Sequence, residues 1–252
     1  MSIQDLKQFS AGSANDERHM HLWVKGASLL IGQFERLVGI VAPSHTINNV
    51  GIDTYKNENS ADLAAIFYKN RSDKSTHHDY HHLYAFILNE LGREKELNVM
   101  EIGLGTNDPN AVSTMGRSGR PGASLYSFRE YLPNSSIFGA DIDRRILFNA
   151  DRIRTAHVDQ LNVASLEKLP QQFGQRKYHL IVDDGLHSIG ANFNTLLFAL
   201  EHIEKNGWIV IEDIHIVDNW RTINYLLNLN GNYKTAMVKA KNGHLYVVKR
   251  LK

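Results

Sequence analysis

The chain has 252 residues, of which 42% are hydrophobic, enough to bury the core of one elaborated domain with an extension. A formal net charge of +1 is too balanced to indicate a binding surface for nucleic acid or a membrane, so the expected partner is a small molecule. Because the chain has no cysteine, disulfides, thiolate metal ligands and a cysteine nucleophile are excluded, which is compatible with a reducing cytosol. A cytoplasmic location is expected because no apolar run is long enough to span a bilayer.

The amino-terminal part of the chain predicts helices. Leu29, Phe34 and Leu37 share near-helical spacing with their apolar neighbours, and a second set follows at Leu63 and Phe67. Charged residues interrupt the first apolar stretch, so it is too short to span a bilayer and indicates core packing or a homo-oligomer surface.

We therefore expect two regions in the chain. Residues 1–92 form a helical extension or lid, with a polar linker at 43–59 and a last helical run at 80–91. Residues 93–252 form the core, where the pattern changes to short β runs alternating with helical segments. Those runs are 99–102, 137–140, 155–158, 179–182 and 208–211.

Strands separated by helices predict a parallel sheet with right-handed crossovers. The end of the chain departs from this alternation, since residues 233–240 and 244–251 flank Asn242-Gly243, a dipeptide favoured in type I′ hairpin turns. The predicted fold class is α/β, with a Rossmann-like, mostly parallel sheet that closes in an antiparallel hairpin.

Two acidic clusters stand at the ends of predicted strands. Asp183-Asp184 follows one apolar run, with His187 three residues later, and Glu212-Asp213 follows the next run. Ligands of open α/β sheets bind beyond the carboxyl ends of the strands, so these carboxylates are candidates for holding one divalent cation. Helix capping, loop solvation and a polar strand end are the structural alternatives.

Three strand ends earlier in the core carry residues suited to a nucleoside cofactor. Gly103 and Gly105 lie in Glu101-Ile-Gly-Leu-Gly, where the backbone can approach a ligand closely, although such a pair is as often a tight turn. Asp141 is placed to bind a ribose diol, while Asp143 is expected to cap the next helix. Asp159-Gln160 suits an adenine edge or a plain turn.

These motifs resemble those of class I S-adenosylmethionine-dependent methyltransferases over roughly residues 72–214. The strongest resemblance is to the metal-dependent sugar O-methyltransferases of macrolide and related antibiotic pathways. That family shares an Asp-Asp-Gly-x-His segment, a Glu-Asp pair on the next strand and an upstream Asp-Lys element, which here are 183–187, Glu212-Asp213 and Asp73-Lys74.

The resemblance implies S-adenosylmethionine as the cofactor, with Mg²⁺ as the expected metal. It implies a metal set of Asp184, Glu212 and Asp213, with His187 as the catalytic base. The cofactor-binding residues that it implies are Glu101, Gly103, Gly105, Asp141, Asp159, Gln160, Asp183 and Lys74. The order of Asp183 and Asp184 stays open, since Asp183 either lies nearer the cofactor or holds the loop.

One departure from the family is an insertion at 106–122, a glycine-rich segment with the character of a lid. Arg117 and Arg120 in it are candidate contacts for an anionic acceptor, with a solvated surface loop as the alternative. His215 is a further candidate substrate contact. The histidines at 77, 78, 81 and 82 have near-helical spacing. A zinc site is one interpretation of them, and a substrate-facing helix at the entry to the site is the preferred one.

The sequence therefore predicts an O-methyltransferase, assisted by a divalent metal, that acts on a hydroxyl of a sugar, nucleotide sugar or glycosylated metabolite. The alternatives are a methyltransferase acting on nitrogen or on a phosphoryl-type oxygen, a hydroxylase-like relative, and a noncatalytic relative on the same fold.

Overall fold

The computed structural model describes residues 32–252. These divide into two compact units, the first comprising residues 32–47 with Ile216–Leu226 and the second Asn48–His215 with Leu227–Lys252. In the first unit residues 32–41 form helix α1, which confirms the helix predicted around Phe34 and Leu37. Leu29 lies outside the described residues. Within this unit, Thr222 donates its backbone N–H to Glu35 Oε1 at 3.0 Å.

The second unit contains a mixed sheet with helices packed on it. Its strands are β1 Asn49–Gly51, β2 Asn98–Ile102, β3 Ser136–Asp141, β4 Asn149–Ala150, β5 Ile153–His157, β6 Tyr178–Asp183, β7 Ile203–Ile211, β8 Tyr233–Lys239 and β9 His244–Arg250. Its helices are α2 Ser60–Asn70, α3 His81–Leu91, α4 Ala123–Tyr131, α5 Val163–Leu166, α6 Leu169–Phe173 and α7 Ile189–His202, and α8 Arg221–Asn228 begins in the first unit.

The strand order is β1-β8-β9-β7-β6-β2-β3-β5-β4. The central strands pair in parallel, whereas β9 runs antiparallel to both β7 and β8. After β2 the chain builds β3 and β5 on one side and then returns to place β6 on the other side of β2. This reversal is a topological switch point, where ligands bind in open α/β sheets.

Both faces of the sheet are covered, as the apolar central strands predict. Successive strand residues point to opposite faces, so Leu180 and Val182 join the core under α2, α3 and α4, while Ile181 is buried on the other face. On that second face Phe138 packs edge-to-face against Tyr178, with ring centroids 5.7 Å apart. The mostly parallel sheet with its terminal antiparallel hairpin confirms the predicted fold class.

Three local features differ from the sequence prediction. β1 lies inside the stretch interpreted as a linker, because its backbone pairs with the edge strand β8. β7 is longer than the predicted run 208–211, because the polar segment before Trp208 also pairs with β6, starting at Ile203. The register shifts within this segment, and Asn206 there has φ 63°. The β8–β9 connection, residues 240–243, is a four-residue loop in which Gly243 has positive φ and Asn242 does not, so it is not a type I′ turn.

Residues 48–92, which the sequence analysis assigned to the extension, contribute β1, α2 and α3 to the unit that contains the sheet. A lid role for the amino-terminal region stays a prediction. Among residues 32–252, no helix combines the length and the apolar character needed to cross a membrane.

Candidate active site

A cleft of about 1380 Å³ opens at the carboxyl ends of the central strands of the second unit. Its walls come from the loops after β2, β3, β5 and β6, from the segment after α2, and from the inserted loop. Cleft-lining residues include the predicted site residues Lys74, Gly103, Gly105, Asp141, Asp159, Gln160, Asp184, His187, Asp213 and His215. The structure therefore brings most of the predicted residues to one place.

Gly103 allows the β2 loop to touch the β6 loop. Its φ is +93°, and a Cβ atom at this position would lie 2.1 Å from the carbonyl oxygen of Asp184. Only glycine fits such a contact with backbone in this conformation. Gly105, at φ +76°, would instead meet the flexible end of Met115, at 2.3 Å. Gly103 therefore lets the loop after β2 contact the loop after β6, and Gly105 lets it contact Met115 of the inserted loop.

Asp141 at the end of β3 supports the same glycine loop. Its Oδ2 accepts the backbone N–H of Leu104 at 2.7 Å, and its Oδ1 accepts that of Asp143 at 2.8 Å. Burial raises the pKa of Asp141, and the backbone donors oppose that shift. Asp143 accepts the backbone N–H of Arg145, which confirms its predicted capping role. The ribose contact of Asp141 stays a prediction.

The two aspartates after β6 have different surroundings, which separates their roles. Asp183 is fully buried and accepts hydrogen bonds from Gln160 Nε2 at 2.7 Å and Asn192 Nδ2 at 3.1 Å. Gln160 Oε1 in turn accepts the backbone N–H of Leu186 at 2.9 Å. Asp183 and Gln160 thus hold the loop, whereas Asp184 lines the cleft. Asp159 also lines the cleft, and its contact with a cofactor stays a prediction.

Lys74 lies inside a cage of three carboxylates. Its Nζ is 2.6 Å from Asp184 Oδ2, 2.6 Å from Glu212 Oε2 and 3.3 Å from Glu101 Oε1, and its side chain is 2% exposed. Burial alone would lower the pKa of Lys74, but the surrounding carboxylates raise it well above its ordinary value. Lys74 therefore stays a buried ammonium that neutralises part of this charge.

Glu101 and Glu212 are both fully enclosed. Ser124 donates its hydroxyl to Glu101 Oε2, and Tyr84 donates its hydroxyl to Glu212 Oε1. Burial raises the pKa of Glu101 to about 7, while the Lys74 ammonium opposes the shift and the neighbouring Asp184 adds to it. Burial also raises the pKa of Glu212, and the neighbouring Asp184 adds to the effect. Glu212 thus faces Lys74 and Tyr84, and it is absent from the cleft-lining residues.

Asp184, His187 and Asp213 face the cleft together. One ligand atom from each lies within 4.8 Å of the others. His187 Nε2 is 3.9 Å from Asp184 Oδ1 and 3.7 Å from Asp213 Oδ2. His187 and Asp213 both have positive φ, 56° and 54°, an arrangement that costs free energy and clusters at functional sites. The carboxylate oxygens of Asp184 and Asp213 fit a hard divalent cation, with the His187 imidazole beside them. Glu212 is paired with Lys74, and its role as a metal ligand stays a prediction.

The two loop arginines do not face the cleft. Arg120 lies over the ring of Tyr126, 4.4 Å from its centroid, with Nη1 3.4 Å from Asn70 Oδ1. Arg117 is exposed, and neither arginine is among the cleft-lining residues. Other residues of the inserted loop line the cleft instead, including Thr114 and Met115. These two arginines therefore give no cleft contact that would favour an anionic acceptor, whereas Lys69, Arg71 and Lys74 are cationic residues that line the cleft.

The histidines of the 77–82 segment do not gather as metal ligands. His78 Nδ1 lies 2.7 Å from the carbonyl oxygen of Asn242, and its ring stacks on Tyr80. Burial and the neighbouring His82 lower the pKa of His81 to about 4. Within residues 32–252, the Asp184, His187 and Asp213 group is the cluster suited to a metal.

Three hydroxyl groups hold buried or cleft-lining carboxylates, whereas the sequence suggested only that Tyr80 or Tyr84 lies near the cofactor. Ser124 binds Glu101, Tyr84 binds Glu212, and Tyr80 donates to Asp213 Oδ1 at 2.5 Å. Tyr80 directly precedes α3 and Tyr84 lies in its first turn, and this four-residue spacing was the available signal. Which carboxylate each tyrosine contacts is set by the end of β7, which lies 128 residues after Tyr84 at Glu212 and 133 residues after Tyr80 at Asp213.

No protein-family model matches the chain. Its sequence is similar to mycinamicin VI 2''-O-methyltransferase of Micromonospora griseorubida, at 30% identity over 123 residues, 48% of this chain and 28% of the relative. It is also similar to a rhamnosyl-tetracenomycin-C 3'-O-methyltransferase of Streptomyces olivaceus, at 27% identity over 155 residues, 61% and 37% of the two chains. The aligned region thus spans about a third of the length of these curated relatives.

The structure is similar to that of the MycE methyltransferase from the mycinamycin biosynthetic pathway, solved in complex with Mg and SAH. The TM-score is 0.60 at 20% identity, covering 76% of this chain and 55% of that chain. A second MycE structure, with Mg, SAH and mycinamycin VI, gives a TM-score of 0.60 at 19% identity. The chain therefore has the class I methyltransferase fold, and its sequence resembles those of macrolide and related antibiotic-sugar O-methyltransferases.

Proposed function

We propose that the protein is an S-adenosylmethionine-dependent O-methyltransferase whose acceptor is a hydroxyl of a sugar or glycosylated metabolite. One observation carries the proposal. The glycine loop with Asp141 and the group of Asp184, His187 and Asp213 line the same cleft at the switch point of the sheet. Cofactor and acceptor would therefore meet there, and the sugar hydroxyl acceptors named for the similar proteins support that acceptor class.

On the cofactor side, Asp141 and Asp159 would bind the nucleoside, and Gly103 and Gly105 would let the backbone approach it. Asp141 lines the cleft while its two oxygens hold backbone N–H groups. Each carboxylate oxygen has a second lone pair, so the same carboxylate remains able to accept from a ribose diol. Glu101 would support this wall from behind, and Lys74, which lines the cleft, would pair with it.

On the acceptor side, Asp184 and Asp213 would hold a divalent cation, with Glu212 kept in place as the counter-ion of Lys74. Such a cation, Mg²⁺ by the oxygen-rich donor set, would supply Lewis-acid stabilisation of the charge that develops on the acceptor oxygen. Asp184 Oδ1 and Asp213 Oδ2 both point toward His187, so cation ligands and base share one wall of the cleft.

His187 would take the proton from the acceptor hydroxyl. The acceptor oxygen forms a bond to the methyl carbon, the bond from that carbon to sulfur breaks, and its electron pair stays on sulfur to give S-adenosylhomocysteine. Imidazole suits this task because its ordinary pKa lies near operating pH. The two aspartates beside the ring would stabilise the imidazolium that forms.

The first test is calorimetric titration with S-adenosylmethionine in EDTA and then in excess Mg²⁺. We expect binding under both conditions, because the cation would serve the acceptor side. Absence of binding under both conditions would contradict the proposal.

Turnover is then measured as stoichiometric release of S-adenosylhomocysteine with a panel of glycosylated macrolides and free deoxysugars. His187→Ala should lower the rate by roughly 10² to 10⁴-fold while cofactor affinity is retained. Equal turnover in wild type and variant would show that His187 is not the base.

A further inference from the structure

The loop between β8 and β9 lies against Asp213, although some 30 residues of chain separate them. A Cβ atom on Gly243, whose φ is +92°, would lie 3.1 Å from the Tyr80 hydroxyl and 3.4 Å from Asp213 Oδ1. The backbone N–H of Ile214, the residue after Asp213, donates to the carbonyl oxygen of His244 at 2.8 Å. The tip of the hairpin thus borders the carboxylate that lines the cleft.

Tyr80 connects this loop to Asp213. Its side chain is fully buried, and its hydroxyl donates to Asp213 Oδ1 at 2.5 Å and lies 3.2 Å from the carbonyl oxygen of Asn242. A hydroxyl has one proton to donate, and the shorter contact is to the carboxylate. The bond fixes Oδ1 and leaves Oδ2 directed to His187, 3.7 Å from Nε2.

The segment before Tyr80 holds the loop at several points. Asn242 Nδ2 donates to the His77 carbonyl at 2.6 Å, and Lys241 donates its backbone N–H to Asp79 Oδ1 at 2.8 Å. His78 Nδ1 lies 2.7 Å from the Asn242 carbonyl oxygen. These contacts keep the loop and Tyr80 in one arrangement, so a change in either would move the other.

We infer that Tyr80 and the β8–β9 loop, residues 240–243, together position Asp213 for binding a divalent cation. The inference rests on the proposed function, since it assigns Asp213 to the cation. Asp213 has a left-handed backbone, φ 54°, which persists only where the surroundings enforce it. Hydrogen bonds behind a metal ligand orient it, and their loss typically weakens metal affinity 10 to 100-fold. Tyr80 is accordingly a positioning residue.

The experiment measures Mn²⁺ affinity by the electron paramagnetic resonance signal of free Mn²⁺, and S-adenosylmethionine affinity by calorimetry. Tyr80→Phe removes the hydroxyl and keeps the ring, whereas Gly243→Ala crowds the hydroxyl from the loop side. We expect each variant to bind Mn²⁺ roughly 10 to 100-fold more weakly. Cofactor affinity should stay within about twofold, because Asp213 belongs to the acceptor side of the cleft.

Gly231→Ala is the matched control, since Gly231 also has positive φ, +65°, but a Cβ atom there would meet nothing within 4 Å. It should keep wild-type Mn²⁺ affinity. Equal Mn²⁺ affinity in wild type, Tyr80→Phe and Gly243→Ala would overturn the inference, as would equal weakening in Gly231→Ala or no Mn²⁺ binding by wild type. Failure of wild type to bind S-adenosylmethionine would instead count against the proposed function.

Discussion

At the scale of single residues, Lys74 is the cation on which the acidic interior depends. Its Nζ lies within ion-pair distance of Asp184, Glu212 and Glu101, and two of these carboxylates are almost fully buried. Removing one partner of a buried ion pair leaves uncompensated charge, which costs more than the pair itself contributes. Burial raises the pKa values of Glu101 and Glu212, and the neighbouring carboxylates add to both shifts.

Lys74→Met should therefore lower the free energy of unfolding by about 3–5 kcal/mol. The control is Lys69→Met, because Lys69 pairs with Glu130 at the surface with its side chain 68% exposed. That change should cost no more than about 1 kcal/mol. Urea denaturation of both variants measures the difference, and similar losses would show that the buried cage does not depend on its ammonium.

Gly103 sets how closely two loops of the cleft approach. Gly103→Ala would place a methyl group 2.1 Å from the Asp184 carbonyl oxygen, so we expect cofactor affinity to fall at least tenfold. Gly116→Ala shares the positive φ, +72°, with nothing within 4 Å, and should leave cofactor affinity near wild type. Calorimetry compares them, and equal affinities would mean that the loop contact is not needed for binding.

At the scale of elements, α3 delivers the Tyr84 hydroxyl to Glu212 and also partly buries ionisable rings. Burial and the neighbouring His82 lower the pKa of His81 to about 4, against an ordinary value of 6.5. The folded state therefore favours neutral His81. Its contribution to stability is fully present above pH 6.5 and is lost as the pH falls from 6.5 through 4.

His81→Gln removes this titration, so the variant should lose less stability than wild type between pH 7.5 and pH 5. The free energy of unfolding is measured by denaturant at each pH. His77→Gln serves as the control because His77 is exposed, and it should follow the wild-type pH dependence. A parallel pH dependence of wild type and His81→Gln would exclude this effect.

The elements that were predictable have strong local signals, and those that were missed lack them. The apolar runs of β2, β3 and β6 predict buried strands. These strands are apolar throughout because both faces of the sheet are covered. β1 has no such run. It is three residues long and pairs with the edge strand β8 through backbone N–H and C=O groups, which do not depend on the side chains. The first half of β7 is polar, so its extended backbone is set by pairing beside β6.

At the scale of the whole molecule, the cleft should link ligand binding to folding. A ligand that binds only the folded state stabilises it, by about 2.7 kcal/mol at a free concentration of 100 times Kd. S-adenosylhomocysteine at that level should raise the thermal midpoint in EDTA, and homocysteine should not. If S-adenosylhomocysteine left the thermal midpoint unchanged, the prediction that the cleft binds this cofactor product without a metal would be contradicted.

The sequence by itself determined the α/β class, the mostly parallel sheet, the terminal hairpin and the strand ends that carry Asp184, His187 and Asp213. The periodicity of hydrophobic residues and the position of a residue at a strand end are properties of a short stretch of sequence, so a single sequence is enough to recognise them. Only the tertiary structure decided that Asp183 holds the loop while Asp184 lines the cleft, and that the arginines at 117 and 120 lie off the cleft wall. Neighbouring residues at a strand end point to different environments, and those environments come from segments distant in the chain.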